Sequence, residues 1–258
     1  MREANVYKAV PFEDESGWKR ALDQIEQKDV YYFREYCHLY YDLGDGEPYL
    51  FYYEDVEGNN LCYVFIKRQI KNIRFINNGL FNEEAYDIIT PYGYGGPLYT
   101  QANGQLIKGF REAFERYCRD ENIISEFIRF HPVLKNHRFL DEAMDVVYDR
   151  ETIYIDLQLS EEEMYRRYHK NHQRNIRKAG QYEDLEFKVF TGDGALEQAS
   201  VFYDIYTETM DRVEASSYHY FSLEYIKNLL SGLWGNAMIG TVIYKGEMIS
   251  AALCMHEG

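Results

Sequence analysis

Pro48-Tyr49-Leu50-Phe51-Tyr52-Tyr53-Glu54 and Leu61-Cys62-Tyr63-Val64-Phe65-Ile66 are two β-rich runs separated by Asp55-Val56-Glu57-Gly58-Asn59-Asn60. Aromatic and β-branched residues favour a pleated surface, and an Asp/Gly/Asn cluster between two such runs signals a hairpin. An antiparallel sheet is therefore expected at the heart of the first half of the chain. Before it, residues 6–12 read as a short strand. Gly17 to Gln27 read as a helix with Trp18, Leu22 and Ile25 on one face and Asp14 or Ser16 as cap. Asp29 is placed to cap a further helix running to about Leu43, which Gly44-Asp45-Gly46 ends.

Downstream, residues 70–90 give no clear pattern. Pro91-Tyr92-Gly93-Tyr94-Gly95-Gly96-Pro97 then frames three glycines and two tyrosines between prolines. Such a loop serves either as a structural turn or as a rigid wall presenting aromatic faces to a ligand. Ala102 to Asp120 carries Leu106, Phe110, Ala113, Phe114 and Tyr117 at helical spacing. Ser125 to Phe130 alternates like a strand, and His131-Pro132 stops it. In the second half, Thr152 to Leu157 alternates as a strand. Ser160 and Glu163 form a capping box for a helix to about Gly180, and Leu185 to Phe190 is a strand. Helices follow from Ala195 to Arg212 and from Leu223 to Leu233. Met238–Tyr244 and Glu247–Met255 make a hairpin over Lys245-Gly246. Strands and helices mix without a βαβ period, so the class is α+β, in two similar halves joined near residues 149–152.

The 258 residues suit one large domain or two smaller ones. A net charge of −15 argues against a surface coated for nonspecific nucleic-acid binding but leaves room for a local basic patch. The charged N-terminus has no apolar signal segment, and no apolar run is long enough to span a membrane. Cys37, Cys62, Cys118 and Cys254 are widely spaced, so reduced thiols in a cytoplasmic protein are expected, with no zinc site. The sequence stops three residues after a strand with core character. That fits either an incomplete second half or an edge strand completed by another copy of the chain.

Three groups of residues are candidates for chemistry. On the helix from Ser160, Arg167, Lys170, Arg174, Arg177 and Lys178 fall within a stripe about 100° wide. The stripe suits tRNA, a nucleotide diphosphate or anionic lipid, or else a solvated face paired with the protein's own acids. Arg129 and His131 share a strand face near a strand end. His131 is either an acid–base group or a hydrogen-bonded structural histidine before a proline. Arg212, at a helix end beside the Tyr218/Tyr220 loop, can fork onto phosphate or carboxylate, or simply stabilise the helix terminus. There is no dinucleotide or nucleotide phosphate-loop motif and no nucleophile elbow. No glycine-rich loop is expected to follow a strand and open a helix in the second half.

Taken in series, four stretches resemble the FemABX-like branch of the GNAT acyltransferase superfamily. They are Pro91–Pro97, Phe127–Asn136, Thr152–Leu157 with the basic helix after it, and Thr209–Ala215 with its trailing tyrosines. The resemblance spans roughly residues 25–255 and implies two tandem GNAT-like domains, residues 1–150 and 151–258. Both would have mixed, mostly antiparallel sheets flanked by helices, with the second incomplete. It implies transfer of an aminoacyl or acyl group to an amine of a nucleotide- or lipid-linked peptidoglycan precursor. Aminoacyl-tRNA or acyl-CoA would be co-substrate, and no cofactor would be held permanently. Tyr92 and Tyr94 then line the acceptor side, and Arg129 stands beside them as a further substrate-binding candidate. Arg212, with Tyr218 and Tyr220, contacts the nucleotide diphosphate; if the donor is tRNA, the stripe of Arg167, Lys170, Arg174 and Arg177 is its contact. His131 is the one candidate base. The chain departs from the family in lacking a coiled-coil arm and in its glycine- and tyrosine-rich loop. A CoA-dependent N-acyltransferase acting on a small or sugar amine, and a degenerate binding module that oligomerises through the C-terminal edge strand, stand as alternatives.

Overall fold

The structure, a computed structural model, describes residues 5–70, 84–101, 103–140 and 143–257. The chain is α+β and separates into two compact units, Met1–Tyr148 with His256–Gly258, and Asp149–Met255.

In the first unit, β1 (Val6–Pro11), β2 (Glu47–Glu54), β3 (Asn60–Gln69) and β4 (Tyr86–Ile89) pair antiparallel in sequence order, and β5 (Leu98–Tyr99) joins β3. The sheet is mixed because β6 (Ile123–Phe127) runs parallel to β4. The hairpin register places Tyr53 opposite Leu61, Phe51 opposite Tyr63 and Tyr49 opposite Phe65, all on one face. Helix α3 (Gly104–Asp120) lays Leu106, Phe110, Phe114 and Tyr117 on that face, and the aromatic rings meet edge to face. Full burial of each such side chain contributes about 1.5–3 kcal/mol. Gly109 lets the helix close on the sheet, since a Cβ there would lie 2.0 Å from the Tyr53 hydroxyl.

The alternate residues of β3 face α1 (Glu15–Leu22) and α2 (Arg34–Asp42). The Cys62 thiol donates to the Ala21 carbonyl at 3.3 Å, and the Trp18 indole donates to the Tyr32 carbonyl at 3.1 Å. Both faces of β3 are thus covered, which is why its run of apolar residues is unbroken.

Several expected elements differ. The first helix ends at Leu22 instead of Gln27. Asp29 caps only a 3-10 turn, Val30–Tyr32, and Phe33 is extended before α2 begins. Three aromatics and a valine in succession are poor helix formers, and Asp29 is held from a distant segment. The unpatterned stretch at 70–90 contains β4, while 71–83 lie outside the described residues. The strand expected from Ser125 ends at Phe127, leaving Phe130 in one isolated parallel bridge to Gly95.

In the second unit, β7 (Leu185–Thr191), β8 (Ala237–Tyr244) and β9 (Glu247–Met255) form an antiparallel sheet with β9 at one edge. Lys245 and Gly246 both have positive φ, giving the tight turn that a two-residue hairpin requires. Helices α6 (Gly192–Arg212) and α7 (Leu223–Gly232) cover the face carrying Ala237, Ile239 and Thr241.

Thr152–Leu157 is not a strand. Its residues are irregular, with Ile153 96% and Leu157 80% exposed. Alternation supplies β propensity, but a strand also needs a partner edge. The helix from Ser160 keeps its capping box but breaks into α4 (Glu161–Arg167) and α5 (Lys170–Ala179). Tyr168 and His169 are extended at the break. The Gln173 amide donates to the carbonyls of Tyr165, Arg166 and Tyr168, satisfying the open end of α4. Among the described residues no helix is long and apolar enough to cross a membrane.

Candidate functional site

Parallel strands β4 and β6 release the chain at the same end of the first unit's sheet. Residues 91–97 leave from β4 and residues 128–136 from β6. The space beyond the carboxyl ends of parallel strands is a common place for a ligand. The two segments are sewn together. Thr90 N–H donates to the Phe127 carbonyl (3.2 Å), Arg129 N–H to the Thr90 hydroxyl (3.1 Å), and Gly95 N–H to the Arg129 carbonyl (2.8 Å).

The sequence of the loop is dictated by this packing. Gly93 has φ +99°, and a Cβ there would lie 2.4 Å from the Tyr31 ring. Gly96 has φ +92°, with Phe130 and Asn136 where a Cβ would sit. No other residue type fits either position without displacing these neighbours. Asn136 is the buried node. Its amide donates to the Gly95 carbonyl (2.8 Å), the Pro97 carbonyl (3.2 Å) and the Tyr32 hydroxyl (3.1 Å). Its oxygen accepts from His131 N–H (3.0 Å).

His131 is buried, and both ring nitrogens are engaged. Nδ1 accepts from Leu134 N–H at 3.1 Å, which leaves Nε2 as the donor to the Asp29 carboxylate at 2.9 Å. This geometry favours the hydrogen-bonded structural reading, since neither nitrogen is open to a substrate proton. The other Asp29 oxygen accepts from Val30 N–H at 2.6 Å. Tyr31, Tyr94 and His131 form a triangle of rings, with centroids 5.4–6.0 Å apart. Burial pushes the Tyr31 phenol up to about 12, helped by the Asp29 charge, so it stays protonated at neutral pH. Tyr92 is held through its carbonyl by the Tyr36 hydroxyl (2.7 Å), and the Arg129 guanidinium lies over the Tyr92 ring at 5.5 Å.

Four of the expected residues, Tyr92, Tyr94, Arg129 and His131, therefore meet at one place. Sequence reasoning missed Asp29, Tyr31 and Asn136 as their supports. Asp29 stands 102 positions from His131, so no local pattern links them.

The remaining candidates lie in the second unit. Arg212 ends α6, and the Tyr220 hydroxyl donates to Asp211 at 2.9 Å. Tyr218 is half exposed beside His219 in the short turn Ser217–His219. Lys170, Arg174, Arg177 and Lys178 share a face of α5, but the break at Tyr168–His169 removes Arg167 from that stripe. None of these cations has an ion-pair partner among the described residues, and all are exposed, as on a solvated face. Contrary to expectation, β7 passes directly into α6 through Gly192-Asp193-Gly194, where Asp193 adds negative charge in the first turn. Among the described residues no cluster of His, Cys, Asp and Glu can hold a metal ion. Burial raises the Cys37 and Cys62 thiols, and Cys118 to about 12, which disfavours a thiolate nucleophile at these positions.

No family model matches the chain, and no curated protein matches it. The chain is similar to a conserved protein of unknown function from Bacteroides thetaiotaomicron VPI-5482, known from a crystal structure. The two share 10% identity, with a TM-score of 0.43, over 96% of this chain and 74% of that one. A likeness of that size carries no argument about function.

Proposed function

We propose that the chain takes part in transfer of an acyl or aminoacyl group to an amine, with the Pro91–Pro97 loop as the wall that holds the acceptor. The observation that carries this reading is the convergence of Tyr92, Tyr94 and Arg129 on a hydrogen-bonded frame at the ends of β4 and β6. A substrate wall with no nucleophile–base pair among the described residues suits a reaction in which the amine attacks an activated carbonyl directly. The ester or thioester bond breaks as the amide bond forms, and the ammonium proton passes to solvent or the leaving group. Positioning is the main contribution, with backbone N–H groups or an arginine stabilising the oxyanion. His131 serves here as a positioning residue.

The resemblance to the FemABX-like branch supplies the substrate classes. The acceptor is a nucleotide- or lipid-linked cell-wall precursor met in the cytoplasm, and two tandem GNAT-like domains provide the frame. The unpaired cations of α5 favour aminoacyl-tRNA as donor over acyl-CoA. Asp193 at the strand–helix junction is a poor neighbour for a pyrophosphate.

Binding assays with a peptidoglycan nucleotide precursor, charged tRNA and acyl-CoA separate the donors, and binding of none of them would remove the transferase reading. Replacing Tyr92 and Tyr94 together with Phe is expected to weaken acceptor binding more than it slows turnover. A fall confined to turnover at saturation would show that the loop has another role.

A further inference from the structure

The acceptor wall contains a cation stacked on a ring and without a counter-ion among the described residues. Arg68, Arg111 and Arg34, the partly buried arginines of the same unit, bind Asp87, Glu126 and Glu15. Arg129 has no acidic partner and no side-chain hydrogen bond among the described residues, in a chain of net charge −15. It is nevertheless not loose. Its N–H is bound by Thr90, its carbonyl by Gly95, and its guanidinium rests over Tyr92. Tyr92 is in turn fixed by the Tyr36 hydroxyl, which accepts from the Tyr40 hydroxyl at 2.9 Å. The Tyr31 and Tyr94 hydroxyls, on the same loop frame, also have no hydrogen-bond partner among the described residues.

A guanidinium stacked on a ring keeps the edge of its fork exposed. That fork matches the paired oxygens of a carboxylate or phosphate. Holding it in place beforehand lowers the ordering cost of binding. We propose that Arg129, stacked on Tyr92, is the anchor for an oxyanion carried by the ligand of this loop, a carboxylate or phosphate group. The proposal deepens the acceptor-wall reading and rests on it only for the name of the ligand's role, not for the anion.

The test is calorimetric titration of the 258-residue chain with inorganic diphosphate, with N-acetyl-dialanine and with the C-terminal amide of that peptide. Binding of diphosphate or of the free-acid peptide is expected. Arg129→Gln should weaken it about tenfold or more, the scale of a charge-assisted pair. Arg129→Lys, which keeps the charge but loses the planar fork, should fall between. A preference for diphosphate or for the acid over the amide tells phosphate from carboxylate. Arg129 is exposed, so both variants should keep the wild-type thermal midpoint, and that measurement controls for folding. Equal affinity of wild type and Arg129→Gln, or no anion binding by the wild type, overturns the proposal. Acyl transfer that survives Arg129→Gln unchanged would sink the anchor and spare the transferase reading. Anion binding without any transfer would do the reverse.

Discussion

Strand β3 of the first unit has both faces covered, whereas the sheet β7–β8–β9 of the second is covered on one. In the first, Tyr63, Phe65, Phe110 and Phe114 are wholly buried, and the alternate residues Cys62, Val64 and Ile66 are buried as well. In the second, α6 and α7 contribute mostly small or aliphatic contacts such as Ala195, Ala199 and Leu229. The opposite face leaves Phe187 70% and Val189 50% exposed. The candidate site sits on the thickly packed unit. Its loop is held through Tyr92, Gly95 and Pro97 by four hydrogen bonds, from Tyr36, to Arg129 and twice from Asn136, so the wall can be rigid. The cations of α5, unpaired among the described residues, sit on a helix with no buried residue, held by its His169 cap and by the contacts of Gln173 with Tyr165 and the end of α4.

The largest expected effect follows from that contrast. Phe114 packs against Phe51, Tyr63, Phe65 and Phe110, so Phe114→Ala should cost about 3–5 kcal/mol. Chemical denaturation read by near-ultraviolet circular dichroism measures it. A loss below about 1 kcal/mol would mean that the aromatic core relaxes around the cavity, and the contrast between units would weaken.

The next effect is set by pH. Burial raises the phenols of Tyr31 and Tyr49 to about 12 and those of Tyr32, Tyr63 and Tyr117 also upward. The unfolded chain releases these protons near pH 10, but the folded first unit retains them. The unfolded state therefore binds fewer protons above pH 10, and stability falls as pH rises from 10 towards 12. Below pH 10 their contribution is fully present. Tyrosinate absorbance followed alongside far-ultraviolet circular dichroism should show these phenols ionising only as the first unit unfolds. Ionisation of all tyrosines before any loss of structure would contradict the burial described here.

How far the sequence could lead depends on the range of each interaction. The α+β class, the β2–β3 hairpin and α3 were legible because period and turn residues act over a few positions, and the capping box at Ser160 likewise. The site frame was not. Gly93 reads locally as a turn residue, and only the fold shows Tyr31 pressed against it. Asp29 reads as a helix cap, a role it fills only for a 3-10 turn while its second oxygen holds His131. The break between α4 and α5 was illegible for another reason. Tyr168 and His169 are ordinary helix residues, and the break is stabilised by the side chain of Gln173 rather than by a breaker. Thr152–Leu157 shows the converse, a strand pattern with no strand.

The smallest expected effect tests the open face directly. Phe187 lies on β7 across from Val242, and the nearest atoms to a Cβ at Gly240 belong to its ring, so it rests along its own sheet rather than under another layer. Phe187→Ser removes a large apolar surface that is already mostly in water. Stability of the isolated chain should then change by no more than about 0.5 kcal/mol, the range for exposed positions. The same denaturation experiment that reads Phe114→Ala measures it. A loss of 2 kcal/mol or more, on the scale of about one buried aromatic, would mean that Phe187 is covered in solution, and the one-sided sheet would no longer distinguish the two units. Repeating the measurement at several protein concentrations then assigns the cover. A loss that grows with concentration places it on a second copy of the chain, and a constant loss places it within one.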